Sequence, residues 1–316
     1  MTNQNYNLLP EKGSLLKMHN FSNQSILIVG VVRNCSRTLR KDYFKLKESV
    51  EFFGKIGCLL IESDSDDDTI TKLELLSKDQ QDFQYVSLGK LRDSIPLRIE
   101  RIARCRNEYL KIIENNSKYH EYNYVLVADF DGINYLVTKE SMLSCWDQSF
   151  WDVCTANQKG PYYDILALRH PLWSPNDCQA QFTFLSKYSG VNEKTRFSSV
   201  YSRMITIPME HDWIEVDSAF GGLALYKRHV LQDKKYIGLT NENLEICEHV
   251  TLHQQIKNSG HKIFINPKLI NAGFTEHTRH LMTFQVTKRV FKDKIQLILC
   301  FLIGKNNLMR LKNYFQ

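Results

Sequence analysis

Ser25-Ile-Leu-Ile-Val-Gly-Val-Val32 is an almost unbroken apolar, β-branched run. That pattern belongs to a strand buried on both faces of a parallel sheet. The polar turn Arg33-Asn-Cys-Ser-Arg37 follows, and from Leu39 to Phe53 apolar residues recur at helical spacing. A second strand, Ile56-Gly-Cys-Leu-Leu-Ile61, then ends in the acidic loop Glu62-Ser-Asp-Ser-Asp-Asp-Asp68. Strand, helix and strand in this order make a right-handed crossover unit, so the expected class is α/β, with a mostly parallel central sheet flanked by helices.

Further along, Pro96 to Asn115 reads as a helix whose stripe is Ile99, Ile102, Ala103, Tyr109, Leu110 and Ile113. Arg98, Arg101, Arg104 and Arg106 occupy its other face, beside Asn107 and Glu108. Tyr124-Val-Leu-Val-Ala128 is a third buried strand and runs directly into Asp129-Phe-Asp-Gly-Ile-Asn134. Open α/β sheets bind ligands beyond the carboxyl ends of their strands, so the three strand-end loops should converge on one cleft. Trp146 to Tyr201 reads as an aromatic, loop-rich stretch broken by Pro161, Pro171 and Pro175. Ser218 to Tyr226 enters another strand, Glu248 to Ser259 reads as a helix, and Lys262-Ile-Phe-Ile265 as a late strand.

The chain has 316 residues and a net charge of +6, spread along its length. Such an excess suits a phosphate-bearing substrate or an anionic surface and is too weak to argue nucleic-acid binding. None of the eight cysteines forms a CxxC pair or zinc-ligand spacing, so reduced, buried thiols and a cytoplasmic protein are expected. Residues 1–24 read as a polar, poorly ordered leader without the apolar core of a secretion signal. The best apolar run, Ile295 to Ile303, is nine residues long with Gln296 inside it, against about 20 needed to span a membrane.

Asp129 and Asp131 carry the chemistry. Two carboxylates one residue apart, just beyond a buried strand, offer oxygen ligands to a hard cation, and a diphosphate supplies further oxygens to Mn2+ or Mg2+. A cation so held neutralises charge that develops as a diphosphate departs. The competing reading is a solvated turn. The five largely apolar residues before the motif and Gly132 after it favour the metal reading.

Val31-Val-Arg-Asn34, Glu62 to Thr69, Arg101 to Asn107, Asp129-Phe-Asp131 and Phe220-Gly-Gly222, as an ordered set over residues 25–280, resemble GT-A glycosyltransferases. Within that group the nearest likeness is to fungal capsule mannosyltransferase-like proteins and their bacterial counterparts. The resemblance implies a GT-A fold over 25–285, with a nucleotide-sugar half (25–135) and an acceptor half (136–285); the tail, 286–316, reads as a basic amphipathic C-terminal helix from the helical spacing of its basic and apolar residues. It implies Arg33, Asn34 and Glu62 at the base and ribose, and Arg101, Arg104 and Asn107 at the diphosphate and sugar, because guanidinium forks match phosphate oxygens. Gly221 and Gly222 would let backbone approach a sugar closely.

The resemblance also implies Glu248, in Cys247-Glu-His-Val250, as a catalytic base if the reaction inverts. The sequence departs from the usual pattern there, with His249 where a second acid is common. His277 is implied as a late metal ligand beside Asp129 and Asp131. For Asp64 to Asp68 the solvated turn and helix cap is the favoured reading.

The expectation is therefore transfer of a hexose from a nucleoside diphosphate sugar to a hydroxyl of a surface glycan or glycolipid. It would use Mn2+ or Mg2+, with Asp131 and Asp129 on the metal. The alternatives are a sugar nucleotidyltransferase and a non-catalytic glycan-binding protein of the same fold. The first is disfavoured by the absence of glycine from Val32-Arg-Asn-Cys-Ser36. The basic tail either packs on the catalytic domain or contacts the cytoplasmic face of a membrane.

Overall fold

The computed structural model describes residues 20–278 and residue 281. Residues 1–19 of the expected leader, the 285/286 domain boundary and the C-terminal helix lie outside them; at the leader's end Phe21–Asn23 form a short 3-10 helix. Two compact units divide the chain, Met1–Gly273 and Phe274–Gln316. In the second, the described residues form a short turn in which the Thr275 N–H donates to Thr278 Oγ1 at 2.9 Å.

The first unit is built on one eight-stranded sheet. Its strands are β1 (Ser25–Val32), β2 (Lys55–Glu62), β3 (Phe83–Ser87), β4 (Tyr124–Ala128), β5 (Val153–Gln158), β6 (Ile214–Val216), β7 (Leu223–Lys227) and β8 (Ile263–Ala272). They lie side by side as β3-β2-β1-β4-β7-β5-β8-β6. Strands β3, β2, β1 and β4 run parallel, whereas β7 is antiparallel to both β4 and β5, and β6 to β8. The α/β class is as expected; antiparallel β7 makes the sheet mixed.

The helices are α1 (Leu39–Ser49), α2 (Thr69–Asp79), α3 (Arg98–Asn115), α4 (Lys139–Leu143), α5 (Cys178–Ser189), α6 (Glu193–Ser199) and α7 (Glu248–Asn258). Because side chains alternate along a strand, each central strand feeds two cores. Leu27, Val29, Val125 and Val127 point to the face covered by α3 and α7, among Tyr109, Ile113, Leu252 and Ile256. Ile26, Ile28 and Leu126 point to the other face, with Leu39, Tyr43 and Leu46 of α1, Leu73 and Leu76 of α2, and Met142 of α4. Each fully buried aliphatic side chain contributes about 1.5–3 kcal/mol, so covering both faces is what makes the near-continuous β1 run stable.

Strand β5 falls inside the stretch expected to be loops. Val153-Cys-Thr-Ala-Asn-Gln158 is entirely buried but ends in polar residues, so it lacks the β-branched signature of β1. Its side-chain amide nitrogens find tertiary partners, Asn157 Nδ2 donating to the Ile207 and Pro267 carbonyls, both at 2.9 Å, while Asn157 Oδ1 and Gln158 Oε1 are buried with no partner among the described residues. The seven described cysteines are free and buried. Among the described residues, no helix is long and apolar enough to cross a membrane.

Candidate active site

A cleft of about 310 Å³ opens beyond the carboxyl ends of β1, β2 and β4. It is lined by Arg33 and Cys35 after β1, Ser63 and Asp64 after β2, and Asp129, Phe130 and Asp131 after β4. Helix α3 contributes Arg98, Arg101, Ile102, Cys105 and Arg106, while Tyr163, Asp164, Phe220 and Glu248 close the far wall. The three strand-end loops do converge, as their order along the chain predicts.

The loop 129–134 is fixed through its backbone. Asp129 N–H donates to Gly222 O at 3.0 Å, and Asn134 Nδ2 donates to Asp129 O at 2.8 Å and to Gly222 O at 3.1 Å. Asn271 Nδ2 in turn donates to Asn134 Oδ1 at 2.8 Å and to Gly221 O at 2.7 Å. On the α1 side, Thr38 Oγ1 donates to Phe130 O at 2.7 Å and Asp42 Oδ2 accepts the Gly132 N–H at 2.9 Å. Backbone anchoring of this kind leaves the two aspartate side chains for the cleft. Asp131 is exposed, and Asp129 is half-buried.

Arg106 dominates the electrostatics. It is 3% exposed, and its Nη2 lies 3.3 Å from Asp129 Oδ1 while its Nε donates to Glu248 Oε1 at 3.0 Å. Phe220 and Tyr236 flank the guanidinium, 5.3 and 5.6 Å from ring centre to Cζ. Burial, the largest cause, pushes the Asp129 carboxyl up to about 7; Arg106 opposes this, and Asp131, Asp164 and Glu248 add to it. Four carboxylates about this part of the cleft, Asp129, Asp131, Asp164 and Glu248, the first of them reluctant to ionise, fit a site completed by a cation.

The expected site residues divide. Arg33, Arg101, Asp129, Asp131 and Glu248 all line the cleft. Glu62 does not: it is 1% exposed, Oε1 accepts the Ser65 N–H at 2.9 Å, and Oε2 accepts the Ser87 hydroxyl. Its hydrogen-bonding capacity is spent on fastening the loop after β2. Asp64, which the solvated-turn reading covered, lines the cleft instead. It is 2% exposed and holds Arg101 Nε at 3.2 Å through Oδ2, while Oδ1 accepts the Arg92 N–H at 2.9 Å. The N-cap of α2 is Asp68, which makes no side-chain cap hydrogen bond; instead Asp67 Oδ1 accepts the Thr69 N–H at 3.0 Å.

Asn34 sits in the left-handed region, with φ 50°. Its side chain ties two loops together by accepting the Asp66 N–H at 2.7 Å, and it is not among the cleft-lining residues. Arg104 and Asn107 are turned away by helical geometry. Arg104 pairs with Glu108 at 2.7 Å on the exposed face. Asn107 exchanges two 2.8 Å hydrogen bonds with the Tyr236 backbone.

Gly221 and Gly222 also serve the protein rather than the cleft. Their φ values of 70° and 83° suit glycine, and a Cβ on Gly222 would lie 2.8 Å from Ile133 Cγ2 and 2.9 Å from the Tyr163 hydroxyl. Gly222 thus permits a close approach to loop 129–134, and Gly221 one to Ala156 and Gln158 of β5. His249 is buried and stacked on Phe220, ring centres 3.8 Å apart. Burial, then Arg106 and His253, hold it well below the usual histidine range, so it is a neutral packing group. His277 belongs to the second unit, where its ring is largely exposed.

Arg106, Asp64 and Asp164 were missed as site residues. Arg106 had a signal: it falls in step with Ile102, Tyr109, Leu110 and Ile113, so a guanidinium occupies the apolar stripe of α3.

No protein-family model matches the chain, and no curated protein matches it. Among solved structures it is similar to S. aureus TarS 1-349 in complex with UDP-GlcNAc, at 14% identity and TM-score 0.46, covering 80% of this chain and 59% of that one. It is also similar to the mannosyltransferase PcManGT from Pyrobaculum calidifontis in complex with GDP-Man and Mn2+, at 11% identity and TM-score 0.43, covering 86% of this chain and 64% of that one. A third is glucosyl-3-phosphoglycerate synthase from Mycobacterium tuberculosis in complex with Mn2+, UDP and phosphoglyceric acid, at 11% identity and TM-score 0.39, covering 80% and 68%. The chain thus spans less than two thirds of the length of the first two.

Proposed function

We propose that the chain is a glycosyltransferase that moves a hexose from a nucleoside diphosphate sugar to a glycan hydroxyl. The carrying observation is that Asp129 and Asp131 line one cleft together with Arg33, Arg98 and Arg101. Carboxylates and guanidinium groups around one cleft suit a diphosphate shared between a divalent cation and arginine.

Asp131 and Asp129 would hold Mn2+ or Mg2+, which supplies Lewis-acid neutralisation of the departing diphosphate. Asp64 and Ser63, at the β2 end of the cleft, would meet the nucleoside. Glu248 would accept the acceptor hydroxyl's proton in an inverting reaction, through Oε2, since Oε1 is engaged by Arg106. Arg106 would orient both Asp129 and Glu248 without itself reaching the diphosphate. A surface glycan or lipid-linked acceptor, a cytoplasmic location and contact with a membrane surface extend the same reading.

The test is calorimetry of the purified chain with UDP and GDP, with and without Mn2+, followed by hydrolysis of a panel of nucleotide sugars. Metal-dependent diphosphate binding and slow release of one sugar are expected. Binding of glycans without any diphosphate binding would replace the transferase with a glycan-binding protein.

A further inference from the structure

Asp152, His229 and His261 meet at the other end of the sheet. Each offers one ligand atom, and those atoms lie within 4.8 Å of one another. The strand register places them. Lys227 pairs with Tyr124 at the start of β4 and Val153 with Ile263, whereas the cleft lies past Ala128. Roughly 13 Å of strand separates the two ends. Asp152 immediately precedes β5, His229 follows β7 by two residues and His261 precedes β8 by two. These strands are neighbours in the sheet, in the order β7-β5-β8.

We propose that Asp152, His229 and His261 bind a divalent d-block cation of the zinc type, in a site distinct from the cleft that staples three adjacent strands. Two imidazoles and one carboxylate form a donor set suited to Zn2+, with solvent able to supply a fourth ligand. His261 Nδ1 already lies 3.5 Å from Asp152 Oδ2, near the ligand separation of about 3.4 Å that tetrahedral bonds of about 2.1 Å require. The His229 and His261 ring centres are 5.5 Å apart. His229 is exposed, so rotation about its side chain closes the remaining gap.

The carboxylate is held as a metal ligand needs to be. Lys262 N–H donates to Oδ2 at 3.0 Å, and Lys227 Nζ reaches Oδ1 at 3.2 Å. Lys227 opposes a second cation, but its ammonium lies over the Trp151 ring, 5.5 Å from its centre, on a partly exposed side chain that can swing outward.

The test uses the untagged full chain. Zn2+ alone, in about a hundredfold excess over its Kd, is expected to raise Tm by on the order of 5 °C. His229→Ala and His261→Ala should each abolish that rise, and Asp131→Asn should retain it. Co2+ should give the intense visible absorption of a four- or five-coordinate site in the wild-type chain and lose it in His229→Ala. A Zn2+ response that survives both histidine substitutions, or that disappears in Asp131→Asn alone, overturns the proposal. Because the proposed transferase activity is read separately with Mn2+ and nucleotide, either inference can fail without the other.

Discussion

Arg106 Nε lies 3.0 Å from Glu248 Oε1, joining helix α3 to the first turn of α7 across 142 residues of sequence. The same guanidinium reaches Asp129 at 3.3 Å, so the motif at the end of β4 and the candidate base are connected through one buried cation. Its Nη1 is buried with no hydrogen-bond partner among the described residues.

Replacing Arg106 by Met would leave Glu248 buried beside Asp129 with its countercharge gone. Loss of one partner from a buried ion pair costs about 3–5 kcal/mol, and urea unfolding should report a loss of that order. Arg106→Lys should recover part of the stability but not the proposed transferase activity, because one ammonium cannot serve two carboxylates in fork geometry.

Asp131 is exposed, and its recorded hydrogen bond is local, to the Ile133 N–H at 3.2 Å. Asp131→Asn should therefore leave Tm within about 2 °C of wild type, as surface changes do. Mn2+-dependent binding of UDP or GDP should be lost. Calorimetry showing wild-type metal dependence in this variant would remove Asp131 from the metal site.

Asp129 carries a pH signature. Its folded-state value of about 7 lies above the ordinary 3.8, so the folded chain holds a proton that the unfolded chain has released. The stability from this group is complete below about pH 4 and is lost as pH rises toward 7. Asp42, raised to about 6 chiefly by burial, adds in the same direction. Without metal, Tm should thus decline between about pH 4 and 7, and less steeply in Asp129→Asn. Since a ligating carboxylate must shed its proton, Mn2+-nucleotide affinity should rise over the same interval.

Glu62 and Asp64 offer opposite outcomes two residues apart. Asp64→Asn should weaken nucleotide binding, because Asp64 lines the cleft and holds Arg101. Glu62→Gln should mainly lower Tm, since it disturbs the bonds to Ser65 and Ser87. Arg104→Ala is expected to change stability by no more than about 0.5 kcal/mol, as befits an exposed i,i+4 pair.

Gly222→Ala should destabilise by more than about 1 kcal/mol, because φ is 83° and the added methyl meets Ile133 and Tyr163. Metal binding should weaken with it, since Gly222 O receives the Asp129 N–H. A crystal structure of the variant with an undisturbed 129–134 loop would refute that coupling.

Strands β1, β2 and β4 were legible because a strand buried on both faces writes its burial into consecutive residues. The same pattern located the Asp129–Asp131 loop at the carboxyl end of the sheet. Strand β5 was not legible, since Thr155, Asn157 and Gln158 are polar, and their hydroxyl and amide donors are buried against distant backbone carbonyls. Among the loop residues, composition could name acidic candidates after β2 but not choose between Glu62 and Asp64. That choice depends on which carboxylate the Ser65 and Ser87 donors capture.

By itself the sequence determined the α/β class, the cleft's end of the sheet and the aspartate pair at its mouth, because these follow from local periodicity and chain order. Only the tertiary structure decided which carboxylates Arg106 joins, that Arg104 and Asn107 are spent on Glu108 and the Tyr236 backbone, and that Gly222 makes room for loop 129–134. The physical reason is that a side chain's charge partners and free space belong to the elements packed against it, and those come from distant parts of the chain.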